Sequence, residues 1–324
     1  KLMKLYLMVF SLLAVLLHSA TVYAEWEKDL NQGETSYENQ KVTLDIHGGI
    51  MNVRANEYVY SGSHKLSELI WDTKQAYMSG VGISVLLNSS KNRKFNASIS
   101  TALGKPGSTM DDYDWFITAA DWTHWSHHNN TTLQMGQIVD LNVSQTVYEN
   151  RVKSLALDLL LGYKTDSWRW QAVGGSYIYS SGSGSLRDLR GTFPDVAGIT
   201  YAQSIDSPYI GAALDWKSGD VSLAAKVIAS KYVDAKTVDQ HHLRNLVFTD
   251  NFKNGKMVGI DIDLTYQLTK NTDLGISYSY QDYLRKRGST MMYDQLPGQS
   301  AFSPGSAGMS LSYQSLAFCG SYIF

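Results

Sequence analysis

Two short stretches carry side chains whose types and spacing suit proton chemistry. In "MDDYDWF", residues 110–116, Asp112 and Asp114 stand two residues apart among apolar and aromatic neighbours. On a strand, side chains alternate between faces, so both carboxylates project to one side. Like charges that close repel. A shared proton relieves the repulsion, and the pair then titrates as a unit able to act as general acid and base. In "VDQHH", residues 238–242, Asp239 and His241 repeat the spacing. A carboxylate beside an imidazole fixes its tautomer and raises its basicity, which equips the ring to take a proton from water. Solvated loop residues would give either pattern as well, and Asp-x-His is a weak motif.

Other reactive side chains form no recognised set. His124, His127 and His128, with His241 and His242, suggest a metal-dependent hydrolase, but "HWSHH" lacks the His-Glu-x-x-His spacing and its general base. No metal ligand is assigned. Cys319 is the one cysteine, which excludes an internal disulfide. It is expected as a small filler on the inner face of the last strand. The net charge of −2 gives no argument for a nucleic-acid partner.

The elements that position these residues are strands. "KLMKLYLMVFSLLAVLLHSATVYA" has lysines at 1 and 4, an apolar run from Leu5 to about Leu17, and Val22 and Ala24 at the −3 and −1 positions of a cleavage site. Residues 1–24 therefore read as a signal peptide and 25–324 as the exported domain. Beyond it, alternation recurs. Val258, Ile260, Ile262, Leu264, Tyr266 and Leu268 are expected on one face, and Leu274, Ile276, Tyr278 and Tyr280 return after "TKNTD". A second hairpin is expected around "YKTDS", with Leu155 to Tyr163 running down and Trp168, Trp170 and Ala172 returning. A third turns at "KSGD".

Such alternation suits a soluble sandwich or a transmembrane barrel. Export, strands long enough for a tilted crossing, and tight turns alternating with long polar stretches favour the barrel. So do aromatic residues near strand ends and a terminal strand "LAFCGSYIF" closing on phenylalanine. The fold class is all-β: a single transmembrane antiparallel β-barrel of about ten strands. Polar loops are predicted at 90–94, 121–131, 182–198, 233–255 and 285–306. Lys226 and Tyr201 are bulky residues expected in the lumen, which argues against an open pore. A charge on the lipid face costs roughly 2–4 kcal/mol for a basic residue, so Asp112 and Asp114 point inward or lie above the membrane.

Five blocks in order, "HKLSELIWD" (64–72), "MDDYDWF", "GGSYIYSS" (174–181), "SPYIGAALDW" (207–216) and Asp239-Gln-His241, resemble the omptins, outer-membrane aspartate–histidine proteases of Gram-negative bacteria. The resemblance covers nearly all of the exported chain. It implies a ten-stranded barrel extending above the outer membrane, with the active site facing the cell exterior. Asp112, Asp114, Asp239 and His241 would be catalytic, holding a water that attacks the peptide bond without a covalent intermediate. Protein and peptide substrates at the cell surface, outer-membrane lipid and a monomeric state are expected.

Specificity departs from the family pattern. Glu57 matches the acid of the pocket for a basic P1 side chain, and Met110 and Ile199 match its apolar walls. The second pocket acid, two positions before the dyad aspartate, is Thr237. The acid associated with a basic P1′ residue aligns with His124. The resemblance also implies lipopolysaccharide as an activating lipid, bound on the barrel exterior. Tyr163 fits that site, but the expected arginines are Ser167 and Ser204, and Arg169 is expected on the wrong strand parity. No other cofactor is expected. A non-catalytic surface adhesin or porin-like barrel is the reading from another class.

Overall fold

The computed structural model describes residues 42–88, 92–116, 121–182 and 185–324, so the expected signal peptide lies outside the described residues. Thirteen strands follow in order. They are β1 (Val42–Ser61), β2 (His64–Asn88), β3 (Arg93–Ala102), β4 (Lys105–Asp114), β5 (His124–Asn150) and β6 (Leu155–Val173). After the short hairpin β7 (Ser176–Tyr179) and β8 (Leu189–Thr192) come β9 (Ala197–Ser218), β10 (Val221–His241), β11 (Leu246–Gln267), β12 (Thr272–Asp294) and β13 (Gln299–Ile323).

All pair into one antiparallel sheet. β3 and β4 occupy the same place in succession, between β2 and β5, so the ring has about ten walls. β1 pairs with β13 from Thr43↔Ile323 to Val59↔Ala307, which closes it. Closure leaves no sheet edge unpaired in the membrane, the condition under which strands can span lipid.

The strands cross two solvents, and β6 shows how. It runs unbroken through "YKTDS", so the hairpin expected there does not form. In its lower half Leu159, Leu161 and Tyr163 face outward, while Asp158, Lys164 and Asp166 are buried inside. In its upper half the inward row becomes Trp168, Trp170 and Ala172, all fully buried. Outward stand Ser167, Arg169 and Gln171. The lower half is apolar outside and polar inside, as lipid demands; the upper half is the reverse, as water demands.

The same switch explains a second difference. The stretches 121–131, 233–255 and 285–306 are not loops. They are largely strand, interrupted by the short turns 242–245 and 295–298, with β5 beginning at His124. Their outward polar residues are the wetted faces of β5 and of β10 to β13 above the membrane.

Between the two halves the lumen is filled. Trp71 of β2 stacks on Tyr201 of β9, centroids 5.7 Å apart and planes 12° apart. Trp170 packs against both, and Trp168 lies 5.4 Å from Tyr313 of β13. Each ring contributes roughly 1.5–3 kcal/mol by leaving water. A Cβ at Gly136 would overlap the Trp168 ring, so glycine there admits it. Below this floor Lys226 lies 2.9 Å from Asp261 and 3.8 Å from Asp140, while Tyr209 donates to Asp140 at 2.6 Å. Buried charge is thus paired. Cys319 is on the inward row of β13, as its parity predicts.

Candidate active site

The acid pair stands at the upper end of β4, where the inward row is Met110, Asp112 and Asp114. Asp112 is the register partner of Leu69, which partners Glu57 on β1, so one cross-strand row joins Asp112 to Glu57. Ser67, the partner of Asp114, donates to Asp112 Oδ1 at 3.1 Å. The intervening Asp111 instead faces outward, accepting from Trp125 at 3.1 Å and pairing with His127 at 2.8 Å.

The imidazole stands on the other wall, at the end of β10. His241 Nε2 lies 2.5 Å from Asp239 Oδ2. The carboxylate only accepts, so Nε2 carries the hydrogen and Nδ1 keeps its lone pair. β10 stops in the single turn His242–Arg244, closed by Asn245 in the left-handed region at φ +57°. That turn returns Arg244 over the ring, where its guanidinium donates to Nδ1.

The two couples share one electrostatic environment. Burial, then the charge of Asp114, pushes the Asp112 carboxyl well up; Asp239 adds to this, and the Ser67 hydrogen bond and Arg244 oppose it. Asp114 is also raised by burial, against Ser67, His124, Arg244 and His241. Asp112 therefore feels Asp239 and Asp114 feels His241, across the cleft. Both carboxyls of the pair are thus pushed toward the protonated form, each by burial first.

His124 is the register partner of Asp114 and packs between Phe116 and Tyr179, with centroids at 5.0 and 4.7 Å. Tyr179 was not singled out in the sequence. Its phenol is pushed up to about 12 by burial and then by Asp112 and Asp114, which places it on the same cleft. The remaining histidines diverge: His127 is outside, and His128 is buried against the carbonyl of Gly174. Among the described residues, no three His, Cys, Asp or Glu side chains are grouped to hold a metal.

Met110 and Thr237, one step below the couples on their strands, and Glu57 and Ile199, on the rows of Asp112 and His241, are all buried. Burial, then Asp239, Asp250 and Asp112, pushes the Glu57 carboxyl well up. Asp250 of β11 is a further missed residue. It is the register partner of Thr237, whose hydroxyl donates to Asp250 Oδ2 at 2.9 Å. Only the β10–β11 register reveals it, and that register is invisible when 233–255 is taken as a loop.

On the exterior, Tyr163 is exposed. Ser167 pairs with Ser204, which pairs with Lys236. Arg169 shares the outward face of Tyr163 and Ser167 and is exposed. The parity assigned to it from sequence was wrong, because β6 does not turn between them.

Comparison with known proteins agrees with this architecture. The chain is 29% identical over 269 residues to the plasminogen activator of Yersinia pestis, covering 82% of this chain and 83% of that one. It is 30% identical over 260 residues to the outer membrane protease IcsP of Shigella flexneri, covering 78% and 81%. The crystal structure of the outer membrane protease OmpT from Escherichia coli superposes with a TM-score of 0.84 at 25% identity, over 90% of this chain and 99% of that one. The profile of the omptin family matches residues 38–324, which takes in every strand of the barrel. On that match the chain belongs to the omptin family, the outer-membrane proteases of Gram-negative bacteria.

Proposed function

We propose that the protein cleaves peptide bonds after Arg or Lys by activating a water between Asp112–Asp114 and Asp239–His241. The observation that supports this reading is an Asp239-bonded His241 on β10 and a buried Asp112–Asp114 pair on β4 whose charges act on each other. Water attacks the scissile carbonyl carbon while its proton passes to His241 Nδ1, and Asp239 stabilises the imidazolium that forms. The carbonyl π electrons move to oxygen, where the proton held by the acid pair is donated to the developing charge. Collapse re-forms the carbonyl, returning its proton to the acid pair, breaks the C–N bond and passes the imidazole proton to the leaving amine. No acyl-enzyme arises. Because Arg244 caps Nδ1, the guanidinium shifts to admit the water.

Glu57 would receive the P1 cation, with Met110 and Ile199 along its stem, and His124 would line the P1′ side. Lipopolysaccharide would engage the exterior around Tyr163, with Arg169 and Lys236 supplying charge on that face in place of the serines. Monomeric action needs no further chain, since both couples lie on one barrel.

A quenched peptide with an internal Arg–Lys or Arg–Val bond tests the mechanism. Wild type should cleave it, unaffected by chelators, while His241→Ala and Asp112→Ala lose activity by about 10²–10⁴-fold. Both variants should keep the heat-modifiable gel mobility of a folded barrel. Cleavage at the wild-type rate by the His241 variant would refute the assigned base. A wild type inactive with and without lipopolysaccharide would favour an adhesin.

A further inference from the structure

We propose that Asp250 is a specificity-determining acid of the P1 pocket, holding the cationic tip of a substrate Arg or Lys together with Glu57; this rests on the P1 reading above. Three observations point to it.

First is position. Thr237 and Asp250 are paired across β10 and β11, and the Thr237 hydroxyl holds the Asp250 carboxylate at 2.9 Å. They lie one side-chain step, roughly 7 Å along the strand, below the level of Asp239. A group at that depth is reached from the cleft by a long, thin side chain.

Second is the missing partner. Glu57 and Asp250 are 4% and 3% exposed, yet among the described residues neither makes an ion pair. Glu57 Oε2 is buried with no hydrogen-bond partner. Asp239 is already engaged by His241. Carboxyls buried without a counter-charge are unfavourable in ionised form, and here the charges of Asp239 and Asp250 both push Glu57 up while Asp239 also raises Asp250. An incoming cation resolves the conflict for all of them at once.

Third is the lining. Met110 and Ile199 provide apolar contact for methylene groups, and the stacked Trp71 and Tyr201 rings add a further wall, since they are the register partners of Met110 and Asp239. A hydrophobic sleeve ending in two acids matches a Lys or Arg side chain and excludes an acidic one.

The test compares two peptides that differ only at P1, arginine against its neutral isostere citrulline, for purified full-length protein. Wild type should favour arginine. Asp250→Asn should lower the arginine-to-citrulline ratio of kcat/KM on the order of tenfold or more, chiefly through KM. Adding Thr237→Asp to Asp250→Asn should restore the ratio, because it returns a carboxylate to the same paired site. An unchanged ratio in Asp250→Asn, with wild type selective, overturns the assignment alone. A loss shared equally by both peptides overturns it too, marking Asp250 as structural, and so does failure of the relocated acid to recover the ratio. A wild type indifferent to P1 charge sinks both the P1 reading and this inference. Heat-modifiable mobility confirms folding in every arm.

Discussion

At the scale of single residues, the site stores its charge in acids that burial holds partly neutral. Asp250 is pushed up to about 6 by burial, opposed by the nearby Thr290 hydroxyl and the hydrogen bond from Thr237, with Asp239 raising it further. Glu57 is also pushed well up, by burial and then by Asp239 and Asp250, and the neighbouring Tyr201 is raised by burial and Glu57. Only the ionised acid attracts a P1 cation. The sign follows: as pH rises through about 6, Asp250 loses its proton and KM for a basic-P1 peptide falls. Steady-state KM against pH checks this, and the step near 6 should be absent in Asp250→Asn. A KM that rises over the same interval would contradict it. The two proposed couples were legible in the sequence as same-face pairs, because i, i+2 spacing fixes a common face on any strand. Asp250, Tyr179 and Arg244 were not legible, since each joins the site through pairing between strands or through a turn.

At the scale of the element, each strand is a single extended chain written for two environments. The sequence made the lower halves easy to recognise, since outward Leu, Ile and Val alternate with small or polar residues. The upper halves were misread as loops because their outward residues are polar and their inward residues include Thr237, Asp239 and Asp250, so hydrophobic alternation is lost. On β6 the inversion placed apolar residues on both faces at different heights, which mimicked a hairpin. One strand can test the division of solvents. Ile260 and Asn251 are both exposed on β11, below and above the inversion. Ile260→Lys should destabilise the lipid-embedded barrel by about 2–4 kcal/mol, whereas Asn251→Lys should be near neutral. Urea unfolding in liposomes measures both. Equal effects would mean that β11 does not cross from lipid to water between them.

At the scale of the whole molecule, the barrel carries a cleft rather than a passage. The aromatic floor spans the lumen from β2, β6, β9 and β13, and the Lys226–Asp261–Asp140 network packs the space beneath. Planar bilayers containing the protein should show no open-channel steps of the kind a porin gives; sustained ohmic conductance would contradict a sealed interior. The floor also has an optical consequence. Trp168 and Trp170 are neighbours on one strand, 6.0 Å apart, and come together as soon as β6 extends. Trp71 and Trp170 belong to different walls, and their 6.4 Å approach exists only once the ring has shut. Indole transitions at these separations couple, so the near-ultraviolet dichroism of the molecule contains two clocks, one for strand extension and one for closure of the cylinder.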